Sequence, residues 1–152
     1  LQLRGYSSSS RSEAKRASLK GELLPDLGAF GLAPDAAPAG KPALVCLLDA
    51  EQRPSRRSAR LLSEQHEALR QKGLAVLAIQ TAAISAETLQ TWTNASPLPF
   101  PLGRLGEKPG NTKWAAEVES LPWLILLDAK GSVAAEGFSL DELDAKLDDL
   151  KK

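Results

Sequence analysis

A chain of 152 residues is the size of one domain, and an apolar share of 43% is enough to build a packed core. Nineteen Lys and Arg against nineteen Asp and Glu leave no net charge, so whole-chain electrostatics favour neither nucleic acid nor an anionic membrane. A single cysteine excludes an intrachain disulfide and a cysteine-rich metal site, and no apolar stretch reaches the roughly 20 residues of a membrane-spanning helix.

Charge is nevertheless segregated. Arg4, Arg11, Lys15, Arg16 and Lys20 make the amino-terminal end basic, while Asp141, Glu142, Asp144, Asp148 and Asp149 make the carboxyl-terminal end acidic. Residues 1–20 are polar and Ser-rich, and read as a tail or linker ahead of a domain over 21–152. The absence of Met, even at position 1, leads us to expect a piece of a longer protein. "LLPDLGAFGLAPDAAPAGKP" mixes apolar anchors with Pro and Gly and reads as an irregular lead-in packed on the core.

"PALVCLLDA" (42–50) is a continuous apolar run, the mark of a strand buried on both faces. A helix is expected over 55–72, burying Leu61, Leu62, Ala68 and Leu69 and ending at Gly73. "LAVLAIQTA" (74–82) repeats the buried-strand pattern, and strand, helix and strand together make a βαβ unit with parallel strands. Ser85 is placed to cap a helix over 86–95 that carries Leu89 and Trp92 inward. Four prolines make 96–110 extended or looped, and a short helix is expected over 111–118 around Trp114.

"PWLILLD", "AKG" and "SVAAEGF" then read as a hairpin turning at Gly131. Ser139 and Glu142 have capping-box spacing, and Phe138 with Leu143 has the spacing of a hydrophobic staple. Leu140, Leu143, Leu147 and Leu150 form the inner stripe of the last helix. The order describes a mixed sheet with helices on both faces.

One stretch poses the functional question. "DAEQRPSRR" (49–57) places a turn between strand and helix, where several enzymes expose a reactive group. It holds no cysteine, no histidine and no glycine-rich phosphate cradle.

Together with "LLPDLGAFGL" ahead of it and "VESLPWLILLDAKGSV" behind it, this stretch resembles the thioredoxin fold. The resemblance is to the redoxin branch related to periplasmic thiol-disulfide oxidoreductases, and covers about residues 20–152. That branch carries Trp-Cys-x-Pro-Cys and then a basic residue. Aligned on Pro54, Glu51 stands at the tryptophan, Gln52 and Ser55 at the two cysteines, Arg53 between Gln52 and Pro54, and Arg56 at the basic position. The resemblance implies a cis bond between Leu121 and Pro122, facing the turn, with Trp123 beside a peptide groove.

Thiol-disulfide exchange needs an attacking thiolate and a second thiol to release the mixed disulfide, so dithiol chemistry at this turn is excluded. No catalytic residue, cofactor or metal is assigned. Cys46 sits mid-strand, where a cysteine behaves as a small buried hydrophobe. The competing reading is a thiol-dependent oxidoreductase or peroxidase using Cys46 or cysteines of a partner chain. His66, the single histidine, reads as a helix residue with no metal pair.

Arg53, Arg56, Arg57 and Arg60 crowd the start of the first helix. Two readings stand: a solvated basic face, or a site for a carboxylate or phosphate. Trp92, Trp114 and Trp123 read as core residues, with Trp123 also a candidate for the groove wall. Asn94-Ala95-Ser96 fits the N-glycosylation pattern, and the following Pro97 speaks against modification. The expectation is a redox-inactive thioredoxin-like domain with a protein or peptide partner, including other domains of its own parent chain. It has no nucleic-acid or membrane contact of its own, and the resemblance implies a bacterial, extracytoplasmic setting.

Overall fold

The computed structural model describes residues 40–82, 84–104, 118 and 120–150. The tail over 1–20, most of the lead-in and the short helix expected around Trp114 lie outside the described residues.

Strand β1 (Ala43–Leu48) is buried along its whole length and is followed by helix α1 (Arg53–Gln71) and strand β2 (Ala75–Gln80). Helix α2 (Ala86–Ala95), strand β3 (Leu102–Arg104) and the hairpin of β4 (Trp123–Leu127) with β5 (Val133–Phe138) come next. A 3-10 turn (Leu140–Glu142) leads into α3 (Leu143–Leu150). The five strands lie in the order β3-β2-β1-β4-β5. β1, β2 and β3 are parallel, β4 runs antiparallel to β1, and β5 antiparallel to β4, back in the direction of the first three.

Strand periodicity divides the core. Leu44, Cys46 and Leu48 join a cluster with Ala59, Leu62 and Leu69 of α1 and Leu143 and Leu147 of α3. Leu89 and Trp92 of α2 pack against the same cluster. Ala43, Val45 and Leu47 turn the other way, into a second cluster with Leu77, Ile79, Ile125 and Val118. Both faces of the central strand are therefore closed, as a continuous apolar run requires. Complete burial of one leucine such as Leu62 contributes roughly 1.5–3 kcal/mol.

Several expectations shift. α1 starts two residues early, because Pro54 lies inside its first turn, where the missing N–H costs nothing. Its buried residues are Ser55, Ala59, Leu62 and Leu69; Ala68 is exposed and Leu61 half-buried. α2 has the expected bounds, and Ser85 Oγ accepts from the Thr88 N–H at 3.0 Å, but Leu89 and Trp92 are only partly buried. β3 lies in the stretch read as extended or looped. It sits at the sheet edge, where proline and glycine are tolerated, and the Pro101 carbonyl accepts from the Ala78 N–H at 2.9 Å.

The ends behave as read. Gly73 N–H donates to the Arg70 carbonyl and Leu74 N–H to that of Leu69, closing α1 in a Schellman motif. Gly131 has φ +88° in the hairpin turn, and Asp128 Oδ1 accepts from the Lys130 and Ser132 N–H groups. Ser139 N–H donates to Glu142 Oε1 at 3.0 Å, which holds that carboxyl below its usual range, and Phe138 and Leu143 are both buried.

Candidate functional site

The carboxyl ends of β1 and β2 point at the start of α1, and the chain there is held by three buried polar side chains. Ser55 and Gln80 are fully buried and Asp49 is 7% exposed. Ser55 Oγ accepts from the Asp49 N–H at 3.0 Å. Gln80 Oε1 accepts from the Ala50 N–H at 2.7 Å, while its Nε2 donates to Asp49 Oδ1 at 3.2 Å and to the Ala82 carbonyl at 3.1 Å. Asp49 Oδ1 also accepts from the Glu51 N–H, and the Asp49 carbonyl from the Gln52 N–H. Arg56 closes the turn from outside, donating from Nη1 to the Ala50 carbonyl at 3.1 Å.

Such a network fixes the turn, because a buried donor left without its acceptor costs about 1–3 kcal/mol. It also decides the chemistry. Ser55 Oγ is occupied inside the protein, and His66 is 11 positions further along α1, its ring tilted at 50° to that of Phe100 with centroids 5.9 Å apart. Among the described residues no histidine or carboxylate is hydrogen-bonded to Ser55 Oγ. Cys46 is fully buried between β2 and β4, and burial pushes its thiol up from an ordinary 9.0 to about 12. It is neither accessible nor a thiolate at neutral pH, which is the opposite of a reactive cysteine. Among the described residues no group of His, Cys, Asp and Glu could hold a metal ion.

Glu51, Gln52, Arg53, Pro54 and Arg56 are exposed. Gln52 is the N-cap of α1 without a side-chain bond to the helix, and the first turn carries no acidic residue. The Leu121–Pro122 bond is cis. The β1–β4 ladder begins at Trp123, so Leu121 and Pro122 lie beyond it. Pro122 lines an open groove of about 380 Å³ whose walls are Arg57, Ser58 and Leu61 of α1, Leu124, and residues 137–141.

Trp123 is not part of that wall. With Leu121 it packs against the second core cluster, and its Nε1 donates to Glu136 Oε1 at 3.3 Å. The indole lies against Gly137, where a Cβ would come within 2.6 Å of Trp123 Cη2 and φ is +73°. A second groove, of about 540 Å³, runs on the other side of the α1 start and gathers Arg53, Arg56, Arg57 and Arg60.

No family model matches the chain, and no curated protein matches its sequence. Solved structures do match. The thioredoxin domain of a thiol-disulfide oxidoreductase from Bacteroides vulgatus superposes with a TM-score of 0.69 over 90% of this chain and 100% of that one, at 18% identity. The fold is thioredoxin-like. A thiol-disulfide oxidoreductase from Bacteroides fragilis (TM-score 0.61, 22% identity, 74% of this chain and 82% of that one) is similar as well. So is StoA from Bacillus subtilis (TM-score 0.60, 12% identity, 73% and 85%).

With one cysteine in the chain, buried in β1, this thioredoxin-like protein lacks the active-site pair. Asp49 and Gln80, which organise the turn, were not singled out from the sequence. The available signal was a polar residue ending each of two apolar runs, at the strand ends where open α/β sheets build their sites.

Proposed function

We propose that the chain is a redox-inactive thioredoxin-like module that holds an extended segment of a partner protein, or of another domain of its own parent chain. The observation that supports this most directly is the pairing of an open groove at cis-Pro122 with a turn that carries no cysteine and whose Ser55 is buried and hydrogen-bonded. The reaction is gone; the recognition surface beside it is open. An extended peptide laid along the end of β4 would gain main-chain bonds by strand addition, with Leu61 and Leu140 meeting its side chains. A bacterial, extracytoplasmic setting belongs to the same proposal, on the strength of the likeness to thiol-disulfide oxidoreductases.

The test is selection of displayed peptides on the native protein, followed by binding to Leu61→Asp and Leu140→Asp variants. Both side chains are half-buried at the groove wall, so the variants should fold and lose about tenfold or more in affinity, the loss of a central apolar contact. Peptides that bind both variants as well as wild type would remove the groove from the proposal. Disulfide reduction by the wild-type protein that Cys46→Ala abolishes would remove the redox-inactive part.

A further inference from the structure

We propose that the arginine-lined groove between α1 and the 96–98 segment is a binding site for an acidic extended peptide, separate from the cis-proline groove. Arg53, Arg56, Arg57 and Arg60 follow the i, i+3, i+4, i+7 spacing and so form one stripe along two turns of α1. All four are exposed. Elsewhere the exposed cations Arg70 and Lys72 take carboxylates, Glu67 at 2.7 Å and Asp144 at 3.1 Å. Among the described residues none of the four stripe arginines makes an ion pair, and none of those lining their groove is acidic. Like charges are thus concentrated in a chain of zero net charge, at a helix start that carries neither a side-chain cap nor a carboxylate in its first turn.

The geometry selects the occupant. Seven residues of helix rise about 10 Å, whereas side chains on one face of an extended peptide recur about every 6.5–7 Å. Two or three carboxylates at alternate positions therefore span the stripe, and a single small anion reaches only part of it. Trp92, Pro97 and Leu98 give the groove an apolar wall for the peptide's stems. Trp92 is the one aromatic among the described lining residues and is partly packed on the core, whereas successive bases need successive stacking platforms, which disfavours a single-stranded nucleic acid.

The experiment is calorimetric titration of the full chain with a short peptide bearing glutamate at alternate positions, and with the same peptide bearing glutamine. The glutamine peptide should bind about tenfold more weakly, and added salt should erase the difference. Arg53→Gln with Arg60→Gln should weaken the glutamate peptide about tenfold, and Arg60→Glu alone should weaken it further. Of the two grooves these residues line only this one, whereas Arg57 lines both and Arg56 also holds the turn. Leu140→Ala, on the cis-proline groove, should change nothing. Equal affinity for the two peptides would overturn the proposal, as would loss on Leu140→Ala but not on the arginine changes. Tighter binding of an oligonucleotide or of anionic vesicles would overturn it too. So would self-association of the chain that the arginine changes dissolve, since the occupant would then be a second copy.

Discussion

Ser55 shows most clearly how the turn after β1 is held. In the alignment through Pro54 it occupies the second cysteine position, and its oxygen serves the buried Asp49 N–H. Ser55→Ala leaves that donor unsatisfied in a place water does not reach, so the unfolding free energy should fall by about 1–3 kcal/mol. Ser63→Ala, on the same helix, is the comparison. Its half-buried hydroxyl only returns a bond to the Ala59 carbonyl within the helix, and its loss should stay within about 0.5 kcal/mol. Urea denaturation of both variants reads the contrast. Equal midpoints would mean that the Ser55 bond does not secure the turn. None of this was legible from Ser55 itself, because its partner lies six residues back and the role of Asp49 depends in turn on Gln80, 31 residues ahead.

At the scale of elements, α1 is anchored at its end and open at its start. The Schellman bonds satisfy the last carbonyls, but Gln52 supplies no cap and the first turn is basic. Gln52→Asp would give an acceptor for the exposed N–H groups and a carboxylate near Arg53 and Arg56. A gain of about 1 kcal/mol in unfolding free energy is expected, and an unchanged or lower midpoint would count against this N-cap. The helix starting at Ala86 was legible because Ser85 offers a good cap at the right place, and the hairpin because Gly131 marks its turn. The inner face of α1 was not. Ranking residues by hydrophobicity selects Leu61 and Ala68, whereas the actual face runs through Ser55, Ala59, Leu62 and Leu69, with half-buried His66 on the same stripe. β3 was legible only as extended or looped chain, because its neighbouring prolines suit either, and only the register with β2 reveals the pairing.

On the scale of the whole molecule, the fold is preserved at 12–22% identity to solved thioredoxin-like structures, because cores tolerate extensive substitution when pattern and volume are kept. Whether the catalytic platform is preserved with it can be tested by restoring the sulfurs as Gln52→Cys with Ser55→Cys. Position 52 is exposed at the helix start, a setting that lowers a thiol from about 8.5 into roughly the 3.5–7.5 range, and the arginines at 53 and 56 push the same way. Glu51 pushes against it, since a neighbouring carboxylate disfavours a second negative charge. Position 55 is less accommodating. It is fully buried, and sulfur is a weak acceptor for the Asp49 N–H, so the double variant should lose part of the roughly 1–3 kcal/mol assigned to that bond. The pair should close into a disulfide under mild oxidation, provided its Cα atoms lie within about 7 Å. Disulfide reduction by the variant should be measurable above the wild-type background, yet weak, because a buried and destabilising second cysteine resolves the mixed disulfide slowly. A folded double variant that never closes would show that the turn has left thioredoxin geometry. The alignment through Pro54 would then fall, and the placement of Gln52 and Ser55 at the former cysteines would fall with it.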